Sequence, residues 1–77
     1  MIVKVNHEHG KHINLYEGTH IGFHPKGEKW EDGFTIVIEG RDDRDCTTLE
    51  ITPDDVGIGV SVFLMNDSGK TVERVFG

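Results

Sequence analysis

The chain is predicted to fold as an all-β domain: a small antiparallel meander, sandwich or partly open barrel of about six to seven strands. Three observations predict it. No window sustains a helical period. Apolar and polar residues alternate in short runs, the pattern of half-buried strands. Ten glycines punctuate those runs. Successive strands joined by tight turns pair as antiparallel neighbours. With 77 residues, the chain is read as one domain spanning 1–77.

Strands are expected at residues 2–7, 11–17, 20–24, 34–39, 47–52, 56–66 and 70–76. The longer connections are 25–33 and 40–46. If Glu8-His9-Gly10 is a three-residue hairpin loop, Gly10 takes its left-handed position. Val5 then faces Ile13, and Val3 faces Leu15. If Glu17-Gly18-Thr19 turns the same way, Leu15 faces Ile21 and Ile13 faces Phe23. Two-residue loops would slip each pairing by one and exchange the faces, which burial disfavours. The expected core face is therefore Val3, Val5, Ile13, Leu15, Ile21 and Phe23. The reverse face collects Lys4, Asn6, His12, Asn14, Tyr16, His20 and His24. His12 and His24 become cross-strand neighbours there, and Tyr16 sits opposite His20.

In the second half, Thr52-Pro53-Asp54-Asp55 reads as one capped turn, with Thr52 as cap and Pro53 in the first turn. Gly57 and Gly59 share one face of the run at 56–66, which suggests a groove, a bulge or a sharp bend. Asp67-Ser68-Gly69 makes a hairpin loop with glycine third, so that Leu64 faces Val72 and Val60 faces Phe76. The other face of that ribbon, with Phe63, Met65 and Val75, is too apolar for water. Either the loop bearing Trp30 covers it or a second copy of the chain does.

A domain this short is marginally stable unless helped by a disulfide, a metal or self-association. Cys46 is the single cysteine, so no internal disulfide forms, as suits a reducing compartment. Self-association as a homo-oligomer is the preferred helper. Fourteen acidic against eight basic residues leave a net charge of −6. Such a surface repels nucleic acid and anionic membranes and suits basic partners. The beginning of the chain has no signal-peptide pattern. The longest nearly apolar stretch, 56–65, is about half of a membrane helix. The expected location is cytoplasmic.

All five histidines, His7, His9, His12, His20 and His24, lie in the first 24 residues. Imidazoles suit zinc, nickel or copper, and His12 with His24 could share an ion. His20 and His24, four apart on a strand, stand roughly 13 Å apart and cannot both ligate it. Solvated strand imidazoles are the simpler reading, and no cofactor is expected. Cys46 could be a nucleophile only with a histidine in reach. Its neighbours Asp42, Asp43 and Asp45 favour a half-buried, unreactive thiol. These carboxylates, like Asp54 and Asp55, show no defined catalytic gap. Gly69-Lys70-Thr71 lacks the upstream glycine of a phosphate loop, because that position is Leu64. Ligand binding remains. The polar face with His12, Tyr16, His20 and His24, together with Lys26 and Trp30 from the long loop, offers rings and donors to a small nucleotide or a peptide. The alternative is that Trp30 simply caps the core.

The segment Phe63-Leu64-Met65-Asn66-Asp67-Ser68-Gly69-Lys70-Thr71-Val72 resembles the ending of small uncharacterised accessory proteins encoded by tailed bacteriophages. The likeness covers this hairpin alone. It implies a protein that works by binding, and it carries over no functional residue. The expectation is therefore a non-enzymatic, phage-type accessory protein acting as a homo-oligomer in the host cytoplasm. It would sequester a small nucleotide-like signal or inhibit a host defence factor through His12, Tyr16, His20, His24, Lys26 and Trp30. The alternatives are a structural virion or assembly protein, or an acidic mimic of nucleic acid that inhibits a basic host protein through Glu50, Asp54, Asp55 and Glu73.

Overall fold

Two antiparallel sheets pack face to face in the computed structural model, which describes residues 1–42 and 44–77. The strands are β1 (Ile2–His7), β2 (His12–Glu17), β3 (His20–Pro25), β4 (Phe34–Glu39), β5 (Cys46–Ile51), β6 (Ser61–Met65) and β7 (Thr71–Phe76). A one-turn helix, α1 (Pro53–Gly57), precedes β6. One sheet has the order β2-β1-β6-β7 and the other β3-β4-β5. The sheets do not close into a barrel, so the molecule is a small sandwich.

The core lies between the layers. Val3, Val5, Val60 and Val62 come from the four-stranded side, and Phe34, Ile36, Ile38 and Ile51 from the three-stranded side. Phe34 is the hinge of this packing. Its ring meets Trp30 edge-on at 4.9 Å and Phe76 at 5.4 Å, centroid to centroid. Such pairs add about 0.5–1.5 kcal/mol beyond burial. Trp30 thus caps the core, through Phe34.

Four expectations need correction. First, the β1–β2 hairpin pairs His7 with His12, Val5 with Asn14 and Val3 with Tyr16. Lys11 joins Glu8, His9 and Gly10 in the loop, because Glu8 and His9 both adopt positive φ (51° and 57°) before the chain can turn back. This one-residue change exchanges the faces of β2. Ile13 and Leu15 point outward, 54% and 60% exposed, and Tyr16 packs against the core. Second, Glu17-Gly18-Thr19 is no hairpin turn but a corner that carries the chain from one sheet to the other. Gly18 is buried, and a Cβ there would stand 2.6 Å from Ile38 Cγ2 and 2.9 Å from the Glu39 carbonyl. Val3, Val5, Ile21 and Phe23 do face the core as expected.

Third, the run expected as one strand at 56–66 is helix at its start. Thr52 caps α1: Asp55 N donates to Thr52 Oγ1 (3.2 Å), and Thr52 N donates back to Asp55 Oδ2 (2.8 Å). The capped turn read from Thr52-Pro53 therefore extends through Val56 and Gly57. Gly59 (φ +83°) then turns the chain with the His9 ring lying directly over it. Fourth, the β6–β7 hairpin starts in the expected register, with Met65 opposite Thr71. Gly69 is left-handed (φ +86°), and Asn66 Oδ1 accepts bonds from Ser68 N and Lys70 N. Two irregularities then shift it, so that Val62, not Val60, faces Phe76.

Candidate functional site

The outer face of the three-stranded sheet gathers most of the polar chemistry. Alternation along β3 sends Ile21 and Phe23 inward and His20, Gly22 and His24 outward. The registers place them in rows: His20, Glu39 and Cys46; Gly22, Val37 and Thr48; His24, Thr35 and Glu50. The His24 imidazole folds over Gly22, where an added Cβ would lie 3.0 Å from Nε2. A shallow depression of 240 Å³ runs from His20 to His24 across this glycine.

A larger cavity of 630 Å³ adjoins it at the loop end, lined by His20, Glu39, Arg41, Asp42, Asp45 and Cys46 among others. The β4–β5 loop shapes it by bonding to itself. Gly40 N donates to the Asp45 carbonyl (2.6 Å) and Asp45 N to the Asp42 carbonyl (2.8 Å). The corner residue Thr19 ties the second wall down, its hydroxyl within 3.1 Å of the Glu39 and Gly40 carbonyls. Asp43, also weighed as a carboxylate candidate, lies outside the described residues.

The six expected contact residues divide among three places. His20 and His24 share the face just described. Lys26, just after β3, is ion-paired with Glu50 on the same face. His12 and Tyr16 belong to β2 in the other sheet. Tyr16 is opposite Val3, not His20, and packs on the core. Trp30 is half-buried against Phe34. His12 and His24 are therefore not cross-strand neighbours, because β2 and β3 do not pair. His12 instead pairs with His7, and its Nε2 stands 3.7 Å from Glu8. His7 Nδ1 lies 3.8 Å from Asp55, the carboxylate that caps α1.

Cys46 is exposed rather than half-buried. It lies two strand spacings from His20, roughly 9–10 Å between backbones, with Glu39 on the strand between them. This row supplies acceptors and an imidazole more readily than a thiol–imidazole couple. Among the described residues, no group of three or more His, Cys, Asp or Glu is placed to hold a metal ion. No described helix is long and apolar enough to cross a membrane.

Sequence reasoning missed a second depression, of 470 Å³, at the other end of the four-stranded sheet. Asn6, His9, Ser61 and Arg74 line it. The Asn6 amide oxygen is buried there without a hydrogen-bond partner among the described residues. Leaving such an acceptor unpaired costs about 1–3 kcal/mol. Only the fold brings His9 of the first hairpin beside Arg74 of the last strand.

Comparison with protein-family models, with curated proteins and with solved structures finds no match to this chain.

Proposed function

We propose that the protein is a non-enzymatic binding module of the phage accessory type. It acts as a homo-oligomer in the host cytoplasm and inhibits a host factor by engaging a basic group on it. One observation carries this reading: the 630 Å³ cavity presents Glu39, Asp42 and Asp45 against Arg41, the one Lys or Arg in its lining among the described residues. With a chain charge of −6, that excess favours approach by a cationic partner and disfavours an anionic one. A nucleotide-like ligand, the other expected partner, finds weaker support. Lys26, the lysine expected to meet its phosphate, is already paired with Glu50, and the carboxylates of the cavity would repel the same group.

Titration calorimetry with an arginine-rich peptide as probe tests the reading. Binding is expected to weaken as salt rises. It should also fall by about tenfold in the combined variant Glu39→Gln, Asp42→Asn, Asp45→Asn. Peptide affinity unchanged by the triple variant would remove the cavity from the mechanism. A stoichiometric nucleotide seen by native mass spectrometry of the freshly purified protein would replace the basic partner altogether.

A further inference from the structure

The four-stranded sheet has one finished edge and one unfinished edge. β7 is interrupted by two irregularities and carries Glu73 and Arg74, devices that discourage pairing with another strand. β2 has neither. Its pairing with β1 is regular from end to end, and its outward side chains include the exposed Ile13 and Leu15. On the same outer surface stand the half-exposed Ile2, Phe63 and Met65.

The hydrogen-bond phase of β2 follows from one pair. Met1 N donates to the Gly18 carbonyl and Gly18 N donates to the Met1 carbonyl, each at 2.9 Å. These residues exchange both bonds one step beyond the Ile2–Glu17 pair. By alternation, Val3–Tyr16, Val5–Asn14 and His7–His12 do the same. Ile13, Leu15 and Glu17 therefore turn their N–H and C=O groups to the free edge.

We infer that β2 pairs antiparallel with β2 of a second copy of this chain, joining two four-stranded sheets into one across a two-fold axis at Asn14. The strand is complementary to itself in this register. Ile13 meets the partner's Leu15, and Leu15 meets the partner's Ile13, each as a pair that exchanges backbone bonds. Lys11, the loop residue just before β2, comes near the partner's Glu17, and Glu17 near the partner's Lys11. Neither Lys11 nor Glu17 has an ion-pair partner among the described residues. A shift of two residues either way loses these matches: it sets Ile13 against itself and Lys11 against Leu15, or Leu15 against itself and Ile13 against Glu17. The contact is small, so the dimer belongs to the weak class with micromolar dissociation. This proposal makes specific the self-association in the function proposed above, and rests on that part of it.

Sedimentation equilibrium across the micromolar range, with disulfide trapping, tests it. The protein is expected to dimerise reversibly. Lys11→Glu and Glu17→Lys should each raise the dissociation constant by about tenfold, and the double exchange should restore it, because each new charge meets its opposite. In a Cys46→Ser background, Asn14→Cys should form a covalent dimer on mild oxidation. The two copies of residue 14 face each other without exchanging bonds, where Cα atoms stand about 4.5 Å apart. Ile13→Cys, whose copies stand diagonally, should not. A monomer at every concentration would overturn both the edge pairing and the oligomer reading. A dimer that is indifferent to the charge exchanges and is not trapped through position 14 would overturn the edge pairing alone.

Discussion

The four-stranded sheet turns Ile2, Ile13, Leu15, Phe63 and Met65 to its outer face, where the three-stranded sheet turns His20, His24, Thr35, Glu39, Thr48 and Glu50. Both sheets bury a continuous aliphatic inner face. They differ in how the second side of each strand is used. On the three-stranded side, alternation gives aliphatics inward and mainly hydrogen-bonding groups outward, an ordinary solvated surface. On the four-stranded side, the outward positions are apolar over parts of β1, β2 and β6, and Lys4 covers only part of this, its ammonium 5.7 Å from the centre of the Phe63 ring. The contrast separates two tasks. In the roles proposed above, polar recognition falls to one face and association to the other.

That contrast rests on one shared core, and the largest prediction tests the core itself. Phe34→Ala removes a fully buried ring that touches Trp30 on one side and Phe76 of the opposite layer on the other. A loss of about 3–5 kcal/mol is expected in urea unfolding, a large part of the stability of a domain this size. Hydrogen exchange should show both sheets losing protection together. Retained protection in either sheet would mean that the layers fold separately and that their outer faces cannot be compared as parts of one unit.

The joint between the layers comes next. Gly18→Ala places a methyl group against Ile38 and the Glu39 carbonyl, neither of which can withdraw freely. The expected loss is about 1–3 kcal/mol. Gly69→Ala is the control in a hairpin loop, where a Cβ meets open space but φ is +86°; about 1–2 kcal/mol is expected there from backbone strain. Equal tolerance of alanine at both positions in thermal melts would show that the corner is not tightly packed. The smallest effect belongs to the polar face. Lys26→Ala breaks an exposed pair with Glu50 and should cost less than about 1 kcal/mol. A larger loss would make that surface structural rather than free for recognition.

Strand positions were legible because alternation and glycine punctuation are local signals. The arrangement of the first three strands was not, and two short loops explain why. Glu8-His9-Gly10 and Glu17-Gly18-Thr19 both look like three-residue hairpin turns. The first takes in Lys11 as well, and burial reasoning cannot detect this, since it assumes that Ile13 and Leu15 go inside. The second is a corner, and its buried central glycine answers to Ile38, a residue twenty positions away in sequence. Once β2 and β3 part, His12 leaves the site, while His20 and His24 stay together because residues four apart on one strand share a face whatever that strand pairs with. The cavity at Glu39 and Cys46 needed the β4–β5 register, which no local pattern specifies.

In the edge pairing inferred above, the crooked course of β7 limits how far the four-stranded sheet can extend. A sheet with two straight borders could add molecules at either side, each addition exposing a fresh border for the next, and a fibre would follow. Here the two irregularities leave the four-stranded sheet only one straight border. If two molecules join along β2 as inferred above, the outermost strands of the joined sheet are both β7, and that sheet extends no further.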